Sequence, residues 1–368
     1  MRTLIELARP RTLPLALAVI CCGNALAYHQ GNWRCSVFIL SLLTALSLQI
    51  LSNIANDYGD GVRGTDRHRP ASAPRRLTAS GAVSIRQMRQ LLAAGVLASL
   101  SFGIALLAVS SPGWSGLLLF LLFGALAILA AITYTVGRYA YGHHALGEVS
   151  VFCFFGLLGV IGSYYLQSGG YTPAVLLPAT GCGLLSAAVL HVNNMRDIDS
   201  DAAVGKCTIA VKLGFARSKT FHLALLAAAV LCYLAYAVIA PASLLWLLAC
   251  PALARHAQRI FRAADPVCAG RELKAIVLIT CADAPPCLLV LPVCRDTELG
   301  DLVHRLGADL DLERIPLRHD GRMQGLIAVG LRHGNIVLEP PRDRLPHRVD
   351  DAEHTVAVLD RRDEDAHR

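Results

Sequence analysis

The stretch SVFILSLLTALSLQILSNIANDYGDGVRGTD, residues 36–66, decides how the whole chain is read. Residues 36–55 are mostly apolar and carry no charge. A run of roughly 20 such residues is what a helix needs to cross the hydrocarbon core of a bilayer. From Asn53 onward the composition turns polar, through Asn56, Asp57, Asp60 and Asp66. If the helix continues through Asp57, then Asn53, Asn56, Asp57 and Asp60 share one face at spacings of three and four. Carboxylates crowded at a membrane boundary repel one another unless cations offset them. Hard oxygen ligands of this kind suit Mg²⁺, which completes its shell with water and substrate phosphates. A solvated acidic loop would look the same in isolation, so the motif needs support from elsewhere in the chain.

The composition agrees with a membrane protein. Hydrophobic residues make up 54% of the 368 and charged residues 17%, against about 25% charged in a soluble domain; the mean hydropathy is +0.49. Candidate spans fall at 13–28, 36–55, 90–110, 115–135, 147–167, 173–194, 221–240 and 242–255, with a ninth at 274–294 weakened by Asp283 and three prolines. The expected fold is thus an all-α polytopic bundle of eight or nine spans. The net charge of +7 does not mark a nucleic-acid partner, because Arg and Lys gather in alternate connecting segments while His29 to Arg34, Ser110 to Gly113 and Gln167 to Thr172 are nearly uncharged. This alternation places the basic segments and the N-terminus in the cytoplasm. The twelve cysteines form no Cys-x-x-Cys pair and read as small apolar residues, not as a metal or disulfide framework. The N-terminus reads as a first membrane helix with no cleaved signal peptide.

The sixth span closes as the second does, with His191-Val192-Asn193-Asn194-Met195-Arg196-Asp197-Ile198-Asp199-Ser200-Asp201. Asn193, Asp197 and Asp201 follow one another at intervals of four, and Gly205-Lys206 comes next. Two acidic clusters, each ending a span on the same side and each trailed by cations, point to a two-sided diphosphate site. In such a site Mg²⁺ bridges carboxylates to phosphate oxygens, and Lys or Arg neutralises the remaining charge.

The pair Asn56-Asp57-x-x-Asp60 and Asp197-x-x-x-Asp201 resembles the two aspartate-rich motifs of the UbiA superfamily of intramembrane prenyltransferases. The resemblance extends in order over residues 5–275. It takes in Arg9-Pro10-Arg11-Thr12-Leu13-Pro14-Leu15, Asn56 through Asp66, Thr133-Tyr134-Thr135-Val136-Gly137, Leu146-Gly147-Glu148-Val149, Phe154-Phe155-Gly156, Val192 through Ile198, and Gly205-Lys206. These stretches are most similar to the members that prenylate 1,4-dihydroxy-2-naphthoate on the way to menaquinone.

What the resemblance implies is specific. A polyprenyl group would pass from its diphosphate to 1,4-dihydroxy-2-naphthoate with loss of CO₂ and diphosphate, giving demethylmenaquinone at the plasma membrane of a bacterium. Asp57, Asp60, Asp197 and Asp201 would hold Mg²⁺, with Asp66 a more distant member. Asn56 and Asn193 would serve as amide ligands or orienters, and Arg63, Arg138 and Lys206 would meet the diphosphate. The partners would be the two substrates and the lipid bilayer, with no nucleic acid. Tyr134 and Glu148 read equally as acceptor-facing groups and as packed structural ones. The sequence departs from the family pattern in a basic, proline-rich stretch after Asp66 and in His143-His144, which lacks a third ligand nearby for a metal.

From about residue 281 the resemblance stops, which sets a boundary between a membrane domain, 1–280, and a polar extension, 281–368. That extension reads either as aberrant sequence or as a small α/β domain. For the second reading, residues 323–339 have the alternation of a hairpin turning at His333-Gly334-Asn335, and Thr355 to Leu359 could supply a third strand. Two rivals to the main functional reading are a prenyltransferase for another aromatic acceptor, such as 4-hydroxybenzoate, and a cation-coupled transporter. Transporter sites lie near the bilayer midplane at broken helices, whereas these carboxylates sit at a boundary.

Overall fold

The computed structural model describes residues 6–10, 12–63 and 83–282, together with three strand segments at 314–319, 322–332 and 335–339. The chain divides into two compact units, Met1–Val293 and Cys294–Arg368. Within the first, the described residues are helical apart from their connections. The helices are α1 (Leu13–His29), α2 (Cys35–Arg63), α3 (Ile85–Ser110), α4 (Gly113–Thr133), α5 (Gly147–Ser168), α6 (Leu176–Arg196), α7 (Ile198–Ala203), α8 (Ile209–Ile239), α9 (Cys250–Arg262), α10 (Pro266–Gly270) and α11 (Leu273–Ala282).

The local chemistry explains where these helices begin and end. Pro14 lies in the first turn of α1, where its missing N–H is no loss. Ser84 and Gln87 close a reciprocal capping box at the start of α3. Thr208 accepts from the Val211 N–H at 3.2 Å and so starts α8. Ser111 at φ 51° and Gly113 at φ 72° make the tight reversal between α3 and α4. Arg34, the cation of an otherwise uncharged connection, donates to the carbonyls of Ser110 and Leu166 at 3.3 and 2.7 Å. It thereby satisfies helix-end oxygens that would lack partners.

Six of these helices, α2 to α6 and α8, are long and apolar enough to cross a membrane, and α1 is a shorter apolar helix. The expected span at 242–255 does not form as one apolar helix. Pro241–Ala249 winds as a 3₁₀ helix, and α9 buries only Leu253, His256 and Ile260 while Arg255, Arg259 and Arg262 stay exposed. That is the stripe of a helix lying along a surface. The ninth expected span is represented by α11, and its remainder, 283–294, lies outside the described residues. The count of eight or nine is therefore not reproduced.

Helix α6 is the centre of the bundle. Its apolar face packs with α8, α9 and α11 around Leu185, Ala188, Val192 and Met195. Against α5 it approaches at glycine: a Cβ on Gly156 would stand 2.5 Å from the Gly183 Cα. Bundles in lipid use small residues in this way to bring backbones together. The middle of α5, Phe152–Ile161, is wound as a π-helix, a form that accumulates at functional sites.

In the second unit, β1 (Arg314–His319), β2 (Arg322–Arg332) and β3 (Asn335–Glu339) form an antiparallel sheet in the order β1-β2-β3. The β2–β3 pair closes at Arg332 opposite Asn335, so the expected hairpin is present. Its third strand comes from the N-terminal side, at β1, and the expected strand at Thr355 to Leu359 falls outside the described residues.

Candidate active site

Helix α2 does continue past the apolar run, through Arg63. At about 1.5 Å per residue it is longer than a bilayer core requires. Its last turns carry Asn56, Asp57 and Asp60 into a chamber of about 1800 Å³. The same chamber is lined by Asn193, Asp197, Asp201 and Lys206, so the two acidic clusters meet across one cavity. All four carboxylates are buried. An apolar stretch of the same wall is made by Leu100 and Ile104 from α3, Phe120 and Ile128 from α4, and Phe154 and Leu158 from α5.

The second cluster departs from one continuous helix. Asp197 leaves helical geometry at φ −95°, ψ 10°, between α6 and α7. The four-residue ladder survives the break, since Asp197 N–H donates to the Asn193 carbonyl at 3.2 Å and Asp201 N–H to that of Asp197 at 2.8 Å. The face expected from the spacing is therefore kept.

Cations stand against both members of this cluster. Arg196 forks onto Asp197, with Nε to Oδ1 at 2.7 Å and Nη2 to Oδ2 at 2.6 Å, and it also donates to Asn193 Oδ1 at 2.8 Å. Lys206 Nζ lies 3.2 and 3.1 Å from the two oxygens of Asp201. Burial pushes the Asp201 carboxyl up, Lys206 pulls it back, and the charges of Asp197 and Asp60 raise it again. Asp60 belongs to the other cluster, so the two halves of the site act on each other electrostatically.

Asn56 is oriented from outside α2. Thr135 Oγ1 donates to its Oδ1 at 3.1 Å and approaches the Ala55 carbonyl at 3.0 Å. Gly59 permits this approach, because a Cβ there would stand 2.7 Å from the Thr135 carbonyl oxygen. Asn53 has a different task. Its Nδ2 donates to the Ala8 carbonyl at 2.9 Å and to Thr12 Oγ1 at 3.0 Å, which pins the segment before α1 beside the chamber.

Not every residue expected at the site is brought there. Arg138 is exposed, stacks over the Tyr139 ring at 5.6 Å and is absent from the chamber wall. Arg63 ends α2, and its side chain and all of Asp66 lie outside the described residues. His143 is buried and His144 exposed, so the pair does not converge. In exchange, Arg196, Arg271 and Lys274 line the chamber. They come from α6 and from the α10–α11 segment, and in sequence they look like ordinary charges between apolar spans. For Arg196 one signal was available, since it directly precedes Asp197.

Among the described residues no three His, Cys, Asp or Glu side chains are gathered as a self-sufficient metal cage. Paired carboxylates split between two walls are what a Mg²⁺ ion uses when phosphate and water complete its shell, and the donor set fits that role.

A family model described as the UbiA prenyltransferase family matches residues 16–274. The chain belongs to the UbiA prenyltransferase family. It is 45% identical over 266 residues to the 1,4-dihydroxy-2-naphthoate octaprenyltransferase of Escherichia coli (strain K12), covering 72% of this chain and 86% of that one. To the Haemophilus influenzae protein of the same name it is 46% identical over 266 residues, covering 71% and 86%. Among solved structures, the apo structure of a UbiA homolog from Aeropyrum pernix K1 superposes with a TM-score of 0.59 at 21% identity, covering 76% of this chain and 98% of that one. A UbiA homolog from Archaeoglobus fulgidus bound to GPP and Mg²⁺ gives 0.54 at 16% identity, covering 78% and 99%. These last two likenesses establish the UbiA fold for the membrane unit.

Proposed function

We propose that this UbiA-family chain transfers a polyprenyl group from its diphosphate to 1,4-dihydroxy-2-naphthoate, releasing diphosphate and CO₂ and giving the hydroquinone form of demethylmenaquinone. The observation that carries the reading is the single chamber in which both acidic clusters meet beside a long apolar wall. The identity to the naphthoate octaprenyltransferases supports the choice of acceptor.

The residues divide the work by chemistry. Asp57, Asp60, Asp197 and Asp201, with Asn56 and Asn193, would hold Mg²⁺, whose positive charge stabilises the departing diphosphate. Lys206 and Arg196 stand at the same wall and can turn from their carboxylates to phosphate oxygens, and Arg271 and Lys274 extend that positive surface. Preorganised charge of this kind favours ionisation of the allylic C–O bond. The apolar side chains of α3, α4 and α5 house the isoprenoid tail and keep water from the allylic cation until the electron-rich ring attacks it. The basic connections support a cytoplasmic location for the acidic clusters.

A membrane-fraction assay with polyprenyl diphosphate, Mg²⁺ and either 1,4-dihydroxy-2-naphthoate or 4-hydroxybenzoate tests the reading. Prenylated product with CO₂ release from the naphthoate supports it, and turnover of the benzoate alone would replace the acceptor. Lys206→Gln is expected to raise KM for the prenyl diphosphate about tenfold, the scale of one charge-assisted hydrogen bond, with KM for the acceptor unchanged. We further assign the activity to the membrane unit: removal of residues 294–368 leaves turnover by the membrane-inserted protein unchanged, as read in the same assay.

A further inference from the structure

Glu148 and His191 form a buried pair that the chemistry above does not use. Glu148 sits in the first turn of α5 and His191 in the last two turns of α6, 3% and 0% exposed. His191 Nε2 lies 3.2 Å from the Ser218 carbonyl oxygen. That oxygen can only accept, so Nε2 carries a hydrogen. The other ring nitrogen, Nδ1, meets Glu148 Oε1 at 2.9 Å with one proton held between them. Phe221 packs edge-on against the imidazole at 4.9 Å between centroids. The ring is thus fixed on both nitrogens and on its flank.

The same Glu148 oxygen accepts from Asn194 Nδ2 at 3.0 Å. Asn194 lines the chamber. One N–H of the Asn194 carboxamide is committed to Glu148, which fixes the amide's orientation, and no hydrogen bond among the described residues uses its Oδ1. Around it the wall is aromatic and apolar. The Tyr134 ring meets Tyr141 edge-on at 5.3 Å, and a Cβ on Gly147 would touch both the Tyr134 hydroxyl and the Leu190 side chain. The Tyr141 hydroxyl is satisfied by the Ala130 carbonyl at 3.0 Å and by Ser150 Oγ at 2.9 Å. A flat substrate ring finds aromatic faces there and an uncommitted carbonyl acceptor in Asn194 Oδ1, as well as the Tyr134 hydroxyl, which likewise makes no hydrogen bond among the described residues.

We propose that this wall receives the aromatic substrate, that Asn194 Oδ1 accepts a hydrogen bond from a ring hydroxyl, and that Glu148 and His191 are the positioning residues that hold the carboxamide in that orientation. The inference rests on the reading of the chain as an aromatic prenyltransferase. A site built to pair with a hydroxyl discriminates strongly against an analogue that cannot donate, because a buried polar group is then left unpaired.

The test compares 1,4-dihydroxy-2-naphthoate with its two monomethyl ethers as acceptors, at saturating polyprenyl diphosphate. The native chain is expected to prefer the dihydroxy compound over at least one ether by roughly 100-fold in kcat/KM, the upper end of the cost of leaving one buried acceptor unpaired. Asn194→Leu shrinks that preference to a few-fold by raising KM for the dihydroxy compound, and leaves KM for the prenyl diphosphate unchanged. Any intrinsic loss of ring reactivity on methylation is common to both enzymes, so the change in ratio reads the contact. Glu148→Leu gives the same collapse, and Glu148→Gln, which can still accept from Asn194, keeps part of the preference. Binding of an unreactive prenyl thiodiphosphate with Mg²⁺ reports that each variant is folded, and Asn194→Ala replaces the leucine variant if that one does not fold. An undiminished preference in folded Asn194→Leu overturns the inference, as does a parallel rise in KM for the prenyl diphosphate. An active native chain with either result defeats this inference alone, whereas no turnover of the naphthoate by the native chain defeats the functional reading and this inference with it.

Discussion

Asp57→Asn and Asp197→Asn each lower kcat by about a thousandfold, the order expected when one preorganised group that stabilises transition-state charge is removed. Asparagine keeps the shape and one oxygen of the carboxylate but not its charge. The loss is therefore electrostatic, and the folded state is not its source. The two positions lie on different helices and line one chamber, so their effects are coupled. The double variant is expected to be little worse than either single one, as found for residues that act as a unit. Arg196 sharpens the case at Asp197: without the carboxylate, its guanidinium loses the bidentate partner at 2.7 and 2.6 Å. Single-turnover rates on the membrane-inserted variants check this, with protein amount normalised.

Gly156→Val removes the folded membrane unit altogether. The first atom added at Gly156 would meet the Gly183 Cα at 2.5 Å and the Ala179 carbonyl oxygen at 2.8 Å. Both are backbone of α6, so no side chain can rotate away. Overpacking a core costs about 1–3 kcal/mol when neighbours can shift, and here the obstacle is the central helix itself. Separating α5 from α6 would also pull Glu148 from His191 and Asn194. Gly124→Val is the control, because a Cβ at Gly124 meets nothing within 4 Å. Thermal unfolding of the detergent-solubilised proteins should give a cooperative transition for the control and none for Gly156→Val.

The parts of this architecture that could be read from the sequence are those in which one stretch carries its own meaning. The helix through Asp57 was readable because an apolar run and an amide–acid face at spacings of three and four belong to one continuous segment. Asp197 and Asp201 were readable for the same reason, even though the helix breaks at Asp197, because the four-residue ladder persists through the break. Arg271 and Lys274 were not, since a cation in a connecting segment looks the same whether it faces water or lines a chamber. Arg138 is the opposite case: the resemblance implied a diphosphate contact, and its exposed side chain lies over Tyr139. The segment 242–255 was misread because its apolar residues satisfy a length criterion, while the 3₁₀ winding at Pro241–Ala249 and the arginine stripe of α9 are set by packing on a surface. Glu148 illustrates the limit of local reading. Its partners lie on another helix, His191 and Asn194, and no spacing within its own stretch announces them.

The claim on which the rest depends is that the two acidic clusters form one metal–diphosphate site. Calorimetric binding of an unreactive polyprenyl thiodiphosphate to the detergent-solubilised full chain, with and without Mg²⁺, tests it directly. The account predicts Mg²⁺-dependent binding in the native chain that is lost in Asp57→Asn and lost equally in Asp197→Asn. Binding that survives either substitution at native affinity, or that is indifferent to Mg²⁺, would contradict it.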